Sequence, residues 1–467
     1  MKSITVLTAV FAVLCLAQTL RGQDVKDGEG TRTTTTIGTN SFRWETEGFS
    51  IRLQNFLQFR MTVQEELGQS GNGGTNGRDF VNFRVARAKT DFQGYIFQKA
   101  FSYRVRLNWV RGADEMLEIA TFRWAFMQYV NVNGGQAPLP WNWEEQVDAT
   151  ELHFMDRSYA NEVFNQDYAK GVWIDGQVGD DVPWVKYWAG VYNGVLAAQD
   201  DFRNKDGALT SDAFSNLIDQ ELMLNARVET HPFGLMAKTM ADRRPEDENG
   251  KLLLAFGAGF NLLFSGVNNA DLRLDSGATA TGSGRSRVRQ ETWAATVDGH
   301  MRWYGISVDA AVYWRFTEFH NRGINSAPTS HRRGVGELQD FGWSFEASYY
   351  IHLIDLSVGV RVNGVDADEF WGRDAALSQT DLQQRAIRPD AMEYGFTASY
   401  LYQGERLKFS MDVLYVDQQL AYSYKGAQYL SGVYNDPLTR NGLLGQSRRN
   451  ADHDVIWIVR FQVQWIF

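Results

Sequence analysis

Apolar and polar side chains alternate with a period of two in many short segments of this chain. Residues 454–467 show the pattern most clearly, because every second residue from Val455 is apolar while Arg460, Gln462 and Gln464 lie between them. A period of two places successive side chains on opposite faces of a strand. The segment therefore predicts a β-strand with one apolar face, formed by Val455, Trp457, Val459, Phe461, Val463, Trp465 and Phe467.

The same alternation recurs upstream in residues 49–63, 101–109, 306–316 and 341–351. About sixteen such segments occur along the chain, which is a strand number found in outer-membrane barrels. In a wide barrel, the polar face of each strand borders the water-filled lumen. The polar faces of the first two segments carry four arginines, which we interpret as lumenal wall residues: Arg52, Arg60, Arg104 and Arg106.

The connections between these segments alternate between long and short. The long ones fall near residues 65–78, 111–116, 141–169, 193–218, 265–290, 319–338, 364–390 and 418–453, and the short ones at 93–96, 179–183, 304–305, 352–353 and 403–405. Long loops at one rim and tight turns at the other are typical of an outer-membrane barrel whose termini both lie in the periplasm. Residues 230–250 break the rule, because a short turn is expected there and a polar insertion is found.

The N-terminal residues predict export. Residues 1–22 form an expected signal peptide, with Lys2 followed by an apolar stretch of roughly 13 residues, too short for a membrane anchor. A lipoprotein at Cys15 is the alternative, but Leu14 stands where a small residue is expected. Residues 23–47 are polar and Thr-rich and predict a flexible periplasmic segment. Residues 48–467 are then one transmembrane barrel domain.

Composition agrees with this architecture. Aromatic residues make up 13% of the chain, and 43 Gly against 8 Pro favour many strands joined by turns. No apolar run after the first 20 residues is long enough for a membrane-spanning helix. The net charge of −10 is mixed along the chain, and no basic stretch interleaved with aromatics indicates nucleic-acid binding. Cys15 is the only cysteine, so disulfides and cysteine chemistry are not expected in the mature protein.

Catalytic and metal-binding motifs are not found in the sequence. Its seven histidines lie in no recognisable catalytic motif, and the spacing His-Glu-x-x-His does not occur. His300 alternates onto the polar side of its segment with Asp298 and Arg302, which we interpret as a solvated lumenal wall. The sequence therefore predicts no enzyme, no cofactor and no metal site.

Several motifs resemble the family of phosphate-selective porins O and P. They are Phe83–Lys89 (FRVARAK), Trp141–Glu145 (WNWEE), His153–Ser158 (HFMDRS), Asn161–Asn165 (NEVFN), Gly171-Val172 and Trp188–Gly194 (WAGVYNG). The resemblance covers roughly residues 80–200. It implies a sixteen-stranded barrel, usually a trimer, that selects anions through lumenal arginines and lysines. It also implies that the third long loop, residues 141–169, folds inward and narrows the pore.

The charge of the third loop departs from that pattern. Residues 141–170 contain seven acidic residues against Arg157 and Lys170, a net charge of −5, whereas an anion filter needs the opposite sign. The family's lysine after Gly-Gln is also missing from Gly135–Pro140. We hypothesise that loop acids pair with wall arginines and set a transverse field, the alternative being solvated loop charges. The predicted constriction comprises Arg52, Arg60, Arg104, Arg106, Glu144, Glu145, Asp148, Glu151, Asp156 and Arg157.

The sequence thus predicts a porin of the cell outer membrane that passes ions and small hydrophilic solutes by passive diffusion. Selection of anions or phosphate is implied only by the resemblance. Expected partners are membrane lipid, permeating solutes, two further copies in a homotrimer, and the outer-membrane assembly machinery, which would read the terminal Phe467. The alternatives are a channel with a solute-specific site and, further off, an outer-membrane enzyme or adhesin barrel.

Overall fold

The computed structural model describes twelve stretches of the chain: residues 34–38, 41–67, 80–110, 116–127, 129–165, 168–179, 184–193, 218–268, 287–320, 337–366, 391–419 and 453–467. An N-terminal hairpin comprises β1 (Thr34–Gly38) and β2 (Ser41–Glu45). The strands that follow are β3 (Phe49–Leu67), β4 (Phe80–Ile96), β5 (Gln98–Asn108), β6 (Leu117–Met127), β7 (Val130–Pro138), β8 (Tyr168–Val178), β9 (Val185–Asn193), β10 (Ile218–Thr230), β11 (Leu253–Asn268), β12 (Arg287–Trp303), β13 (Ile306–His320), β14 (Glu337–Ile351), β15 (Leu356–Asp366), β16 (Ala391–Glu405), β17 (Leu407–Gln419) and β18 (His453–Ile466).

Strands β3 to β18 form a closed antiparallel barrel. Each pairs with the next along the chain, and β18 returns to pair with β3 in a register that places Val459 opposite Val63. The backbone of Phe467 continues this ladder, with its N–H donating to the carbonyl of Asn55 at 2.9 Å and its carbonyl accepting from the Asn55 N–H at 2.8 Å. The predicted sixteen-stranded barrel is thereby confirmed.

The alternation along each strand separates an outer face from a lumenal face. On β3 the outward Phe59 is 46% exposed, while the neighbouring inward Arg60 is fully buried. The outer face carries exposed aromatic and aliphatic residues around the barrel, among them Trp124, Val172, Phe260 and Trp457. The core of the molecule consequently lies inside the lumen, where polar wall residues are buried beneath inserted chain.

Two predicted turns are displaced by a few residues. The turn expected at 93–96 is the single residue Phe97, which has a φ of 66°, and the one expected at 403–405 lies at Arg406. The sequence pattern did not predict the short connection between β6 and β7. Residues 34–38 and 41–45, expected in a flexible segment, form the β1–β2 hairpin, and β2 pairs with β3. The expected signal peptide lies outside the described residues.

Candidate functional site in the barrel lumen

The connection between β7 and β8 folds into the lumen, and we call its residues 139–165 the lumenal loop. It contains two short helices, α1 (Trp143–Gln146) and α2 (Tyr159–Phe164). The side chain of Asn142 caps α1 by accepting from the N–H of Glu145 at 2.7 Å. Ser158 caps α2 in the same way, accepting from the N–H of Asn161 at 3.2 Å. Such caps satisfy backbone donors that a short helix leaves unpaired.

Apolar side chains hold the lumenal loop against the far wall of the barrel. From α2, Tyr159 and Phe164 pack in one buried cluster with Tyr313 of β13 and Val365 of β15. The rings of Phe164 and Tyr313 are stacked with centroids 5.4 Å apart. Burial of this kind stabilises an element by about 1.5–3 kcal/mol for each large side chain. The loop is therefore a packed part of the interior.

Inward glycines of the wall make room for the loop. A Cβ added at Gly259 would lie 2.1 Å from the carbonyl oxygen of Trp141, and one at Gly342 would lie 2.4 Å from the ring of Phe164. A Cβ at Gly359 would lie 2.2 Å from the ring of His153. Real Cβ atoms do not approach other atoms this closely, so these three glycines form notches that receive the loop.

Asp156 joins the loop to three wall arginines. Its carboxylate lies 2.6 Å from Arg60 of β3, 2.9 Å from Arg87 of β4 and 2.5 Å from Arg460 of β18. Burial alone would raise the pKa of Asp156, but the three guanidinium groups outweigh it and hold that pKa well below its ordinary value. Asp156 is therefore an anionic clamp between the loop and the seam where the barrel closes.

Asp148 makes a second ionic contact with the wall. Its carboxylate lies 2.6 Å from Arg106 and 3.8 Å from Arg104, both on β5. Asp91 of β4 also binds both arginines, at 2.7 Å from Arg104 and 2.6 Å from Arg106. Burial opposes ionisation of Asp148, but Arg106, Lys89 and Arg104 lower its pKa.

Glu144, Glu145 and Arg157 make contacts within the lumenal loop. Glu144 accepts from the backbone N–H of Ser158 at 2.6 Å and from its hydroxyl at 2.8 Å. Arg157 donates to the carbonyls of Glu144, Glu145 and Val147, and lies 3.3 Å from the carboxylate of Glu145. These contacts hold α1 against the start of α2.

Two predicted residues lie away from this contact zone. Arg52 is exposed on β3 near the short-turn rim, opposite Gln93 of β4 and Arg43 of β2. Glu151 lies 3.7 Å from Arg243, which belongs to the connection between β10 and β11. The structure therefore brings Arg60, Arg104 and Arg106, but not Arg52, to the acids of the loop.

The insertion between β10 and β11 also enters the lumen, and we call residues 231–252 the strap. It contains a one-turn helix, α3 (Glu246–Asn249). Met236 and Met240 of the strap pack in one buried cluster with Trp143 and Leu152 of the lumenal loop. This packing explains the insertion that the sequence pattern left without a role: it supports the loop from the short-turn rim.

Polar contacts fix the strap to the loop and to the wall. The ammonium of Lys238 lies 3.8 Å from the ring centroid of Trp143 and also pairs with Glu229 of β10. The ring of His300 is also stacked on Trp143, with the ring centroids 4.4 Å apart. The backbone of Thr239 accepts from Arg302 of β12 at 2.6 Å.

Beside the lumenal loop, residues that the structure describes line two cavities that bear on the passage. The first, of about 680 Å³, reaches the long-loop ends of β5, β6 and β8; we call it the loop-side cavity. The second, of about 350 Å³, reaches the short-turn ends of β7, β8 and β9; we call it the turn-side cavity. Pro138 and Gln146 line both cavities, so the two cavities adjoin at these residues.

The loop-side cavity is lined by more basic than acidic groups. The basic ones are Arg60, Arg84, Arg87, Lys89, Arg104, Arg106, Arg157, Arg361 and Arg460, and the acidic ones are Glu118, Glu145, Asp148, Asp156, Glu162 and Glu393. Within the part of the chain that the structure describes, Arg84 is exposed and pairs with no acid. The lining of this cavity thus has more basic than acidic side chains, although the loop itself is acidic.

Comparison with known proteins agrees with this architecture. Residues 62–217 match the family of phosphate-selective porins O and P. The family match and the closed barrel together support a porin-type outer-membrane channel for small solutes. The outer-membrane channel DcaP of Acinetobacter baumannii has the same fold, with a TM-score of 0.51 at 9% identity over 90% of this chain and 98% of that one.

A second solved structure with a similar barrel is OmpT of Vibrio cholerae, with a TM-score of 0.47 at 10% identity over 90% of this chain and 99% of that one. No curated protein sequence matches the porin. Among the residues that the structure describes, no helix has the length and apolarity needed to cross a bilayer.

One histidine of the porin has neighbours that resemble those of a hydrolase. The ring of His153 lies 2.9 Å from the hydroxyl of Ser357 and 3.6 Å from the carboxylate of Glu346. All three side chains are buried, and none of them lines either cavity. Burial also lowers the pKa of His153 well below its ordinary value. The group therefore joins the lumenal loop to β14 and β15.

The second notable histidine, His300, differs from its predicted environment. The sequence predicts a solvated wall residue, but His300 is buried between Trp143 and the carboxylates of Asp298, at 2.8 Å, and Asp309, at 2.6 Å. No group of three or more metal-ligating side chains is arranged around a common point in the described stretches.

The pKa directions of the two loop carboxylates predict how the porin responds to acid. The pKa values of Asp148 and Asp156 are lowered in the folded protein. Their ion pairs therefore contribute fully to the stability of the docked loop above the ordinary carboxyl pKa of about 3.9. This contribution is lost as the pH falls through the lowered pKa values. We expect single-channel conductance in planar bilayers to stay constant from neutral pH to about pH 4 and to rise below it.

Burial raises the pKa of Glu144, so the measurement is repeated with a Glu144→Gln variant, which removes that titration. A rise in conductance between pH 7 and pH 5 that persists in this variant would contradict the assignment of the two clamps.

The sequence missed Arg87, Asp91 and Arg460 as partners at this site. A signal was available for Arg87, which lies within the motif Phe83–Lys89, and for Arg460, which lies on the polar face of the last strand. Asp91 lies two residues after Lys89 on β4, and this spacing predicts that its side chain also faces the lumen.

Proposed function

We propose that this porin is a passive diffusion channel that prefers anions. The observation that carries the proposal is the loop-side cavity, in which nine basic groups face six acidic ones. Fixed charge in a narrow, partly desolvated passage favours counter-ions. Asp156 is neutralised by three arginines and Asp148 by Arg106, so the two acids leave the passage basic.

The lining of the loop-side cavity has the opposite net sign to the lumenal loop. The net charge of −5 over residues 141–170 suggested the wrong sign for an anion filter, because a count along the sequence does not include wall residues. Of the ten residues predicted to form the constriction, seven line the loop-side cavity: Arg60, Arg104, Arg106, Glu145, Asp148, Asp156 and Arg157. We assign Glu144 and Glu151 to the support of the loop and give Arg52 no role in the constriction.

The permeant anion and the assembly are further proposals. Phosphate is the first candidate because of the family to which residues 62–217 are matched. Arginine-rich walls suit phosphate because a guanidinium binds its oxygens through two parallel hydrogen bonds. The resemblance also favours a homotrimer, for which part of the apolar outer face is available. Recognition of Phe467 by the assembly machinery stays a prediction.

An Arg104→Ala variant tests the anion preference. Arg104 is partly exposed to the cavity, and its loss leaves Asp91 paired with Arg106. We expect the anion-to-cation permeability ratio, measured as the reversal potential in a KCl gradient, to fall by about two- to threefold. The matched control is Arg43→Ala on β2, because Arg43 pairs with Glu45 on the hairpin. This variant should leave the permeability ratio unchanged. A cation preference in the unmodified porin would overturn the proposal.

A channel with a solute-specific site is the second candidate. The aromatic lining of the turn-side cavity favours it, because most lumenal wall residues of this porin are polar. The family match and the fold indicate a channel and not an enzyme.

A further inference from the structure

The turn-side cavity has an aromatic row along its outer wall. Tyr192 and Trp188 lie on the inward face of β9, with Gly190 between them. Trp173 of the neighbouring strand β8 lies opposite Gly190, so its ring fills the gap between the two. The rings of Trp173 and Tyr192 are stacked, with centroids 5.8 Å apart and an interplanar angle of 22°. All three line the cavity. Their inward direction means that their apolar surface faces the passage and not the lipid.

A row of polar side chains runs beside the aromatic row. The carboxylate of Asp175 accepts from Arg123 of β6 at 2.9 Å and from Asn131 and Asn133 of β7 at 3.1 and 2.5 Å. These partners neutralise and orient Asp175, and all four residues line the cavity. The wall therefore offers aromatic faces and hydrogen-bonding groups side by side over the same length of strand.

One polar atom of this wall lacks a partner. The hydroxyl of Tyr192 is buried and makes no hydrogen bond to any residue that the structure describes, and the whole residue is only 2% exposed. A buried hydroxyl without a partner costs about 1–3 kcal/mol. Because this hydroxyl has almost no accessible surface, a solute recovers that cost only when the ring of Tyr192 moves towards the cavity on binding.

From these observations we infer that the turn-side cavity is a binding site for a neutral, polyhydroxylated solute, a sugar of one or two rings. A sugar ring has one face of C–H groups, which pack on aromatic rings, and an edge of hydroxyls, which pair with amides and carboxylates. A strongly charged solute would gain less here, because Arg123 and Asp175 already neutralise each other and Lys186 is the one further charged group in the lining that the structure describes. The volume of about 350 Å³ lies within the range of small-ligand sites.

This inference rests on the proposed channel function, which delivers the solute to the cavity. Gln146 borders both cavities, so a sugar bound in the turn-side cavity would lie across the path of the ions. Occupation of the site is then visible as a block of ion current.

The test is the current through the purified full barrel in planar bilayers with glucose or maltose added. We expect a concentration-dependent block by maltose. Trp188→Ala should raise the half-blocking concentration about tenfold, which corresponds to about 1.4 kcal/mol and lies within the range of one aromatic contact. Tyr192→Phe, which retains the stacked ring, should raise it several-fold. The control Trp457→Ala removes a lipid-facing tryptophan of β18 and should have no effect.

The outcomes separate this inference from the channel itself. An ion current that neither sugar blocks, or a block that Trp188→Ala and Tyr192→Phe leave unchanged, overturns the sugar site and leaves the channel intact. Stronger block by benzoate than by maltose also overturns it, since an aromatic acid then fits better. The absence of any ion current overturns the proposed function and the inference together.

Discussion

An Asp156→Asn variant is expected to release the lumenal loop from the closing seam of the barrel. The substitution leaves Arg60, Arg87 and Arg460 facing a neutral amide, so three guanidinium groups repel one another without their shared anion. Removing one partner from a buried pair costs about 3–5 kcal/mol. We expect about 2 kcal/mol here, because the Asp156 side chain is 34% exposed and Arg460 keeps Asp412.

Single-channel conductance should rise about twofold as the loop moves from the wall, and the permeability ratio should shift further towards anions. Reversal potentials and conductance in planar bilayers measure both effects. The matched control is Glu151→Gln on the same loop, whose acid has one long ion pair to Arg243 at 3.7 Å. If both variants behave like the unmodified porin, Asp156 does not hold the loop.

Shortening the strap is expected to have the second large effect. Replacing residues 235–248 by two glycines and a serine removes Met236, Lys238 and Met240, which cover Trp143. Burial of the two methionine side chains stabilises the packing of the strap on the lumenal loop by about 3–6 kcal/mol, which the shortened strap loses. We expect the loop to lose its support at the short-turn rim and conductance to increase several-fold.

Ion current and trypsin sensitivity of the lumenal loop measure this effect, since Arg157 is the cleavage site that becomes accessible. Leu353→Ser is the control at the same rim, because Leu353 is 92% exposed in the turn between β14 and β15. A shortened strap that leaves conductance unchanged would show that the lumenal loop is held by the wall alone.

The fold was predictable from the sequence because each strand of the barrel alternates apolar outward residues with polar lumenal ones, a pattern that is visible within a single short segment. Alternation on β3 and β18 identified strands, outward faces and lumenal arginines without reference to distant residues. Turn positions were less certain, as at Phe97, since a non-glycine residue at positive φ has no strong sequence signal.

The site was predictable only in part, because its contacts join residues far apart in the chain. Asp156 meets Arg460 across 304 positions, and no periodicity connects them. The acidity of the lumenal loop was visible, but its neutralisation by Arg60 and Arg106 was not. The strap was detected as an irregularity, while its direction into the lumen depends on Met236 and Met240 finding Trp143.

The glycine notches have a consequence for assembly. Gly259, Gly342 and Gly359 receive Trp141, Phe164 and His153 only while β11, β14 and β15 keep their native register. A slip of two residues along β14 preserves every apolar-outward position but brings Asp340 or Ser344 towards the ring of Phe164. The lumenal loop therefore docks only when these strands are in their native register. Its packing favours that register over slipped ones that would keep the same lipid-facing pattern.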